Sequence, residues 1–294
     1  MDPTLIAEDL APGDRSAGTL DWSDLRVRRI VGPDDPDFAP AYERLWGEFG
    51  ALGEMERREV IRDRLTWDPA RPIGATALAY ELFVLRRNGG VAAIRDHTAV
   101  VRVGVEGRPL PGPIVVHLSH ALVEPAHRGT GLVAWLRSLP LQTARRCART
   151  AGCAPDVPVV LVAEMEMRDV VVPGKPEAPG PASHEARMAR LRSYERAGFL
   201  MVDPAAAPYA QPDFRPPELL AGDAPRPVSL GLVVRRVGHE SETTMPASEL
   251  RAVIDAIYAV YGVHVPAAAL EPLRAAAAAW TGRPAPFRLL PPAA

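Results

Sequence analysis

Residues 121–136 read Ala121-Leu-Val-Glu-Pro-Ala-His-Arg-Gly-Thr-Gly-Leu-Val-Ala-Trp-Leu136, an apolar strand end, a glycine turn and a helix start. A strand that stops at Pro125 and passes through Arg128-Gly129-Thr130-Gly131 into a helix leaves several backbone N–H groups unpaired in one small space. That space suits a phosphate. The glycines let the backbone approach a ligand without Cβ obstruction, the helix dipole favours negative charge, and Arg128 adds a cation. Gly-x-Gly also occurs at ordinary tight turns. Neither Gly-x-x-x-x-Gly-Lys-Ser/Thr nor a Gly-x-Gly-x-x-Gly opening the helix is present, so a nucleotide fold of those two kinds is not indicated.

The 294 residues, 47% of them hydrophobic, are enough for one large core or a core with an appendage. A net charge of -2 gives no electrostatic case for nucleic acid or an anionic membrane surface. Two cysteines, Cys147 and Cys153, are too few and too close for a disulfide framework, and a reducing cytoplasm is the expected location. The opening Met1-Asp-Pro-Thr-Leu-Ile-Ala-Glu-Asp-Leu10 lacks the basic and apolar parts of a signal peptide, and no window approaches a membrane span.

Outward from the glycine turn, Ile114-Val-Val-His-Leu-Ser-His-Ala-Leu-Val123 reads as a central strand. Before it, Leu25–Val31 is a first strand, Phe38–Leu65 carries two helices, and residues 79–103 form a hairpin about Asn88-Gly-Gly90. Residues 1–22 read as a flexible N-terminal extension. After it come a helix with a kink predicted at Pro140 and Cys147 in its core face, then a buried strand over Val159–Met167 and a proline-rich loop over 173–181. A helix from His184 to a C-cap at Gly198, a long irregular stretch over 204–227 and a last strand over 228–236 follow. The tail over 239–294 is a helical appendage or an oligomer contact, which leaves a homodimer open.

Val123-Glu-Pro125 followed by Arg128-Gly-Thr-Gly131-Leu-Val133 resembles the acyl-CoA pyrophosphate loop of the GNAT superfamily of N-acetyltransferases, and Tyr194-x-x-x-Gly198-Phe199 resembles that family's motif at the end of its last helix. The resemblance covers roughly residues 24–237, including the order of strands and helices. It implies an α/β (α+β) fold with a mixed, mostly antiparallel central sheet flanked by helices, a GNAT-like domain over 23–238 and the helical appendage beyond it. It also implies acetyl-CoA, or another acyl-CoA, held by Leu122, Val123, Arg128, Gly129, Thr130, Gly131, Leu132 and Val133, and Tyr194 as the acid that protonates the leaving thiolate. Val133 stands where the family has glycine or alanine, and Arg187 where it often has asparagine.

Acyl transfer from a thioester to an amine needs a neutral amine, a held oxyanion and a protonated thiolate. On the strand at Val160, Val162, Glu164 and Glu166 share one face, and paired carboxylates suit a base near neutral pH. On the preceding strand the alternation gives His117 and Ser119 one face and His120 the other. Glu164, Glu166 and His117 are thus the candidates for base or amine anchor. A metal on the two histidines and two glutamates is set aside because His-x-x-His on a strand splays its rings apart. The favoured reading is an acyl-CoA-dependent N-acyltransferase acting on an amine of a small molecule or side chain. Two alternatives stand beside it: a non-catalytic acyl-CoA-binding sensor or partner module, and a synthase of N-acyl amino acids with a longer donor, its tunnel covered by the 204–227 loop.

Overall fold

The computed structural model describes residues 3–50, 55–104, 106–166, 181–214 and 227–293. In chain order the elements are β1 (Leu25–Arg29), α1 (Phe38–Phe49), α2 (Arg58–Arg64), β2 (Thr76–Arg87), β3 (Gly90–Arg102), β4 (Ile114–Val123), α3 (Val133–Ala151), β5 (Val159–Met165) and α4 (Pro181–Arg196). Then follow β6 (Leu200–Val202), β7 (Ala210–Gln211), β8 (Val228–Ser229), β9 (Gly231–Arg236), β10 (Thr244–Met245), α5 (Ala247–Tyr261), α6 (Ala267–Thr281) and β11 (Phe287–Leu290). The fold is the expected α/β class. One sheet of nine strands runs β1-β2-β3-β4-β5-β9-β6-β11-β10, and β4 with β5 is its parallel pair, the other neighbours running antiparallel.

The β2–β3 hairpin forms where Asn88 and Gly89 both take positive φ, 51° and 81°, the conformation that matches a two-residue turn to the twist of its strands. Alternation along the strands then divides the core. Leu78, Val100, Val115, Val160 and Val162 pack against the stripe Leu250, Val253, Ile254, Ile257 and Tyr258 of α5. Ala77, Ala99, Val116, Leu161 and Ala163 face Leu141, Ala144 and Cys147 of α3 and Leu191 of α4. At the β1 side, Tyr80, Leu82, Ile94 and Leu122 meet Phe38, Tyr42 and Leu45 of α1 and Ile61 of α2. Cys147 is fully buried, as its place on the apolar face predicts.

Several expectations change. Residues 3–22, read as a flexible extension, fold into short 3-10 turns with Asp9, Ala11, Asp14 and Ala17 buried. Asp9 pairs with Arg145 of α3, and Asp14 with Arg137 of α3 at 2.6 Å; the acids that make this segment look solvated are what tie it down. The tail is helical, but it also supplies β11, which pairs with β6, and β10 at the sheet edge. The last strand is two, β8 pairing with β7 and β9 with β5. β5 ends at Met165, one residue short of Glu166. Met167, the 173–180 part of the proline-rich loop and residues 215–226 of the long loop lie outside the described residues.

Candidate active site

β4 and β5 pair only over Ile114–His117 with Val159–Val162. Beyond that point β4 follows β3 to Val123, and β5 follows β9 to Met165. The two strands therefore part, and a gap opens in the middle of the sheet at His117 and Val162. His117 of β4 and Glu164 of β5 meet at this gap.

The glycine turn closes β4. Gly129 and Gly131 take φ of 75° and 81°, a region L side chains rarely enter. The backbone N–H groups of Gly129, Thr130, Gly131, Leu132 and Val133 donate to no acceptor among the described residues. Five consecutive amides at the start of a 19-residue helix fit an anionic diphosphate. The Thr130 hydroxyl braces the turn by donating to the His127 carbonyl at 2.7 Å. Arg128 is exposed, with Nε donating to the Val123 carbonyl at 3.2 Å. Leu122 is buried and Val123 half-buried behind the turn. A Cβ at Gly131 would stand 2.7 Å from Leu20 Cδ1, so the N-terminal segment walls one flank of the turn.

On the α5 face of the gap, His117 Nε2 lies 2.8 Å from Glu164 Oε2. His117 is buried and Glu164 half-buried, and Glu164 also accepts from the hydroxyls of Tyr209 and of Tyr261 on α5. Burial and the Glu164 charge push both phenols well above the usual range, so they stay donors. With its Nε2 engaged by a carboxylate, His117 is left with Nδ1 buried and without a partner among the described residues. Neither tyrosine was legible as part of a site. Tyr261 reads as one more member of the α5 core stripe, and Tyr209 sits in an aperiodic stretch.

Glu166 does not join Glu164. One residue past the strand end, it pairs with Arg187 of α4, with Nε 3.7 Å away. The paired-carboxylate expectation therefore gives way to a carboxylate–histidine pair.

The facing assignment on β4 is also corrected. A β-bulge interrupts the β3–β4 register between Arg95 and His97, so one extra residue shifts the alternation. His117 lies by Tyr261 of α5, at 5.5 Å between ring centroids. His120 meets Asp96, whose other oxygen accepts from Tyr80 OH at 2.8 Å, and Tyr80 belongs to the same side of β2 as Leu78. His117 and His120 hence face one side, and His-x-x-His does not splay here. No group of three or more metal-ligating side chains is gathered among the described residues.

Asp96 accepts from the His120 amide at 2.6 Å and from His120 Nδ1 at 3.0 Å. Burial alone would raise its pKa, but His120 and the donated hydrogen bonds hold it at about 2. Beside this pair, Glu56 is bound to the fully buried Arg64; burial opposes its charge, and Arg64 with His120 outweighs that to keep it below the usual range.

Tyr194 approaches from the other face. It is half-buried, edge-on to Phe199 at 4.9 Å, against the cluster lined by α3 and α4. Its hydroxyl makes no hydrogen bond to a described residue. Tyr194 and the His117–Glu164 pair therefore lie on opposite faces of the sheet.

No protein-family model and no curated protein matches this chain. Among solved structures, a tandem GNAT protein from the clavulanic acid biosynthesis pathway is similar at 20% identity and TM-score 0.31 over 64% of this chain, which spans only 46% of that protein's length. A Salmonella typhimurium protein solved with its cofactor acetyl-CoA is similar at 19% identity and TM-score 0.35, with 73% of this chain and 94% of that one covered. An acyl-CoA N-acyltransferase from Pseudomonas aeruginosa is similar at 19% identity and TM-score 0.33, with 72% and 99% covered. Overlaps this loose say nothing about what the chain binds. The mixed, mostly antiparallel sheet flanked by helices is the fold that the resemblance to the GNAT superfamily implies.

Proposed function

We propose that the protein is an acyl-CoA-dependent N-acyltransferase, moving an acyl group, acetyl in the simplest case, from CoA to an amine by direct attack. The observation that carries this reading is the row of five amides from Gly129 to Val133 that are unpaired among the described residues, set at the end of a strand that parts from its parallel neighbour beside a carboxylate-held histidine. The amides, with Leu122, Val123 and Arg128 around them, hold the diphosphate of CoA, and the thioester reaches the gap.

There the amine enters from the α5 face. Glu164 accepts the hydrogen bond from His117 Nε2–H, which fixes the tautomer that presents the Nδ1 lone pair. As the amine nitrogen attacks the thioester carbon, its proton passes to His117 Nδ1, the C–S bond breaks, and Tyr194 gives its proton to the thiolate. Tyr209 and Tyr261 position Glu164 without touching substrate. Glu166, tied to Arg187, is the weaker candidate for the base, and Val133 adds one more amide to the row.

Calorimetry with acetyl-CoA tests the reading, with binding in the micromolar to low millimolar range expected and no heat at millimolar ligand overturning it. A non-catalytic acyl-CoA-binding module is the second reading, favoured by Leu20 seated on the glycine turn. Under it, Tyr194→Phe and His117→Gln leave the rate of CoA release as low as in the parent protein, and both bind acetyl-CoA unchanged.

A further inference from the structure

Arg95 of β3 is only 4% exposed, and its side chain makes no hydrogen bond or ion pair with any described residue, its Nε being buried and unpartnered. A buried guanidinium ordinarily has a carboxylate beside it, because desolvating an unpaired charge is strongly unfavourable. Asp96 is next in the chain and attracts the charge, but its oxygens accept from His120 and Tyr80 across the sheet and none is hydrogen-bonded to Arg95. Arg137 of α3 lies within electrostatic reach and adds a second positive charge, while its own acid is taken, Nη1 donating to Asp14 at 2.6 Å and Nη2 to the Ser193 carbonyl at 2.7 Å.

The position of this charge says what it serves. Arg95 stands opposite Ala121 on β4, on the α3 face of β3 with His97, whose Nε2 meets Thr143 of α3. Tyr194 lies within its electrostatic reach too. That is the side on which the glycine turn and Tyr194 bring in the thioester under the proposed function, on which this inference rests. An acetyl thioester is neutral at its reacting end and leaves the guanidinium without an anionic acceptor. A thiolate is negative there only in passing. A permanent anion on the acyl group itself satisfies the charge in the bound state.

We propose that Arg95 is a specificity-determining residue that binds the terminal carboxylate of a dicarboxylic acyl donor, of the malonyl- or succinyl-CoA kind. One charge-assisted hydrogen bond in a buried site is worth a preference of roughly 10- to 100-fold.

The test compares malonyl-, succinyl- and acetyl-CoA with free CoA by calorimetry on the intact protein, then on Arg95→Gln and Arg95→Lys. The parent protein is expected to bind at least one dicarboxylic ester about 10-fold or more tighter than acetyl-CoA. Arg95→Gln should bring that ratio close to one with acetyl-CoA unchanged, and Arg95→Lys should keep part of it. A ratio near one in the parent protein, which needs no variant to measure, overturns the inference and leaves the proposed function standing. Equal weakening of all four ligands in Arg95→Gln overturns it in favour of a phosphate contact. Failure of every ester to bind removes both readings.

Discussion

Substituting Asp96 by asparagine tests the buried polar layer beneath the gap. Asp96 is fully buried and receives the His120 amide, His120 Nδ1 and Tyr80 OH. Its carboxyl is held at about 2 against an ordinary 3.8, and at about 1.4 kcal/mol per pH unit that difference amounts to about 2.5 kcal/mol of stability. The folded pKa is the depressed one, so this stability is fully present above the unfolded pKa and is lost as the pH falls through about 4 toward 2. Asparagine keeps the shape and removes the charge. Urea unfolding of the parent protein and Asp96→Asn at pH 7, 5, 4 and 3 should show the variant weaker by about 2.5 kcal/mol at pH 7, with the gap closing below pH 4. Other carboxylates titrate over the same range, but they are common to both proteins and drop out of the difference. A gap that stays constant from pH 7 to 3, or one below about 1 kcal/mol at pH 7, would refute the reasoning.

Two further outcomes bear on the turn and on the α3 core. Gly131→Ala forces a side chain into φ 81° and places its Cβ 2.7 Å from Leu20 Cδ1, so acetyl-CoA affinity should fall at least about tenfold with a loss of roughly 1–2 kcal/mol in stability. Adding Leu20→Ala should relieve the clash and leave the backbone strain; full recovery of affinity would show that strain there is unimportant. Burial pushes the Cys147 thiol up to about 12, so a thiol reagent at pH 8 should label Cys153 alone in the folded protein and both cysteines in urea. Labelling of Cys147 without unfolding would contradict its place on the buried face of α3.

The glycine turn and the order of elements were legible because both are local: positive φ demands glycine, and alternation or a 3.6-residue stripe marks each strand or helix. Glu164 and His117 were each legible as a polar residue on its own strand, but their meeting depends on the β4–β5 register, which alternation does not set. His120 was not. The bulge inserts a single residue into the ladder, and nothing in His117-Leu-Ser-His120 announces it. Tyr209 and Tyr261 reach Glu164 from 45 and 97 residues away, a closeness that only tertiary packing creates. The segment over 3–22 was misjudged for a related reason: its acids look like solvated surface until Arg137 and Arg145 stand opposite them.

The sheet's assembly order has a biosynthetic consequence. Leu78, Val100, Val115, Val160 and Val162 are covered by α5, and β6 gains its second neighbour only from β11 at Phe287–Leu290. A nascent chain that has emerged from the ribosome only as far as β9 therefore exposes a greasy sheet face and an open strand edge together. Such an intermediate is a natural client for a chaperone until the next fifty or so residues arrive.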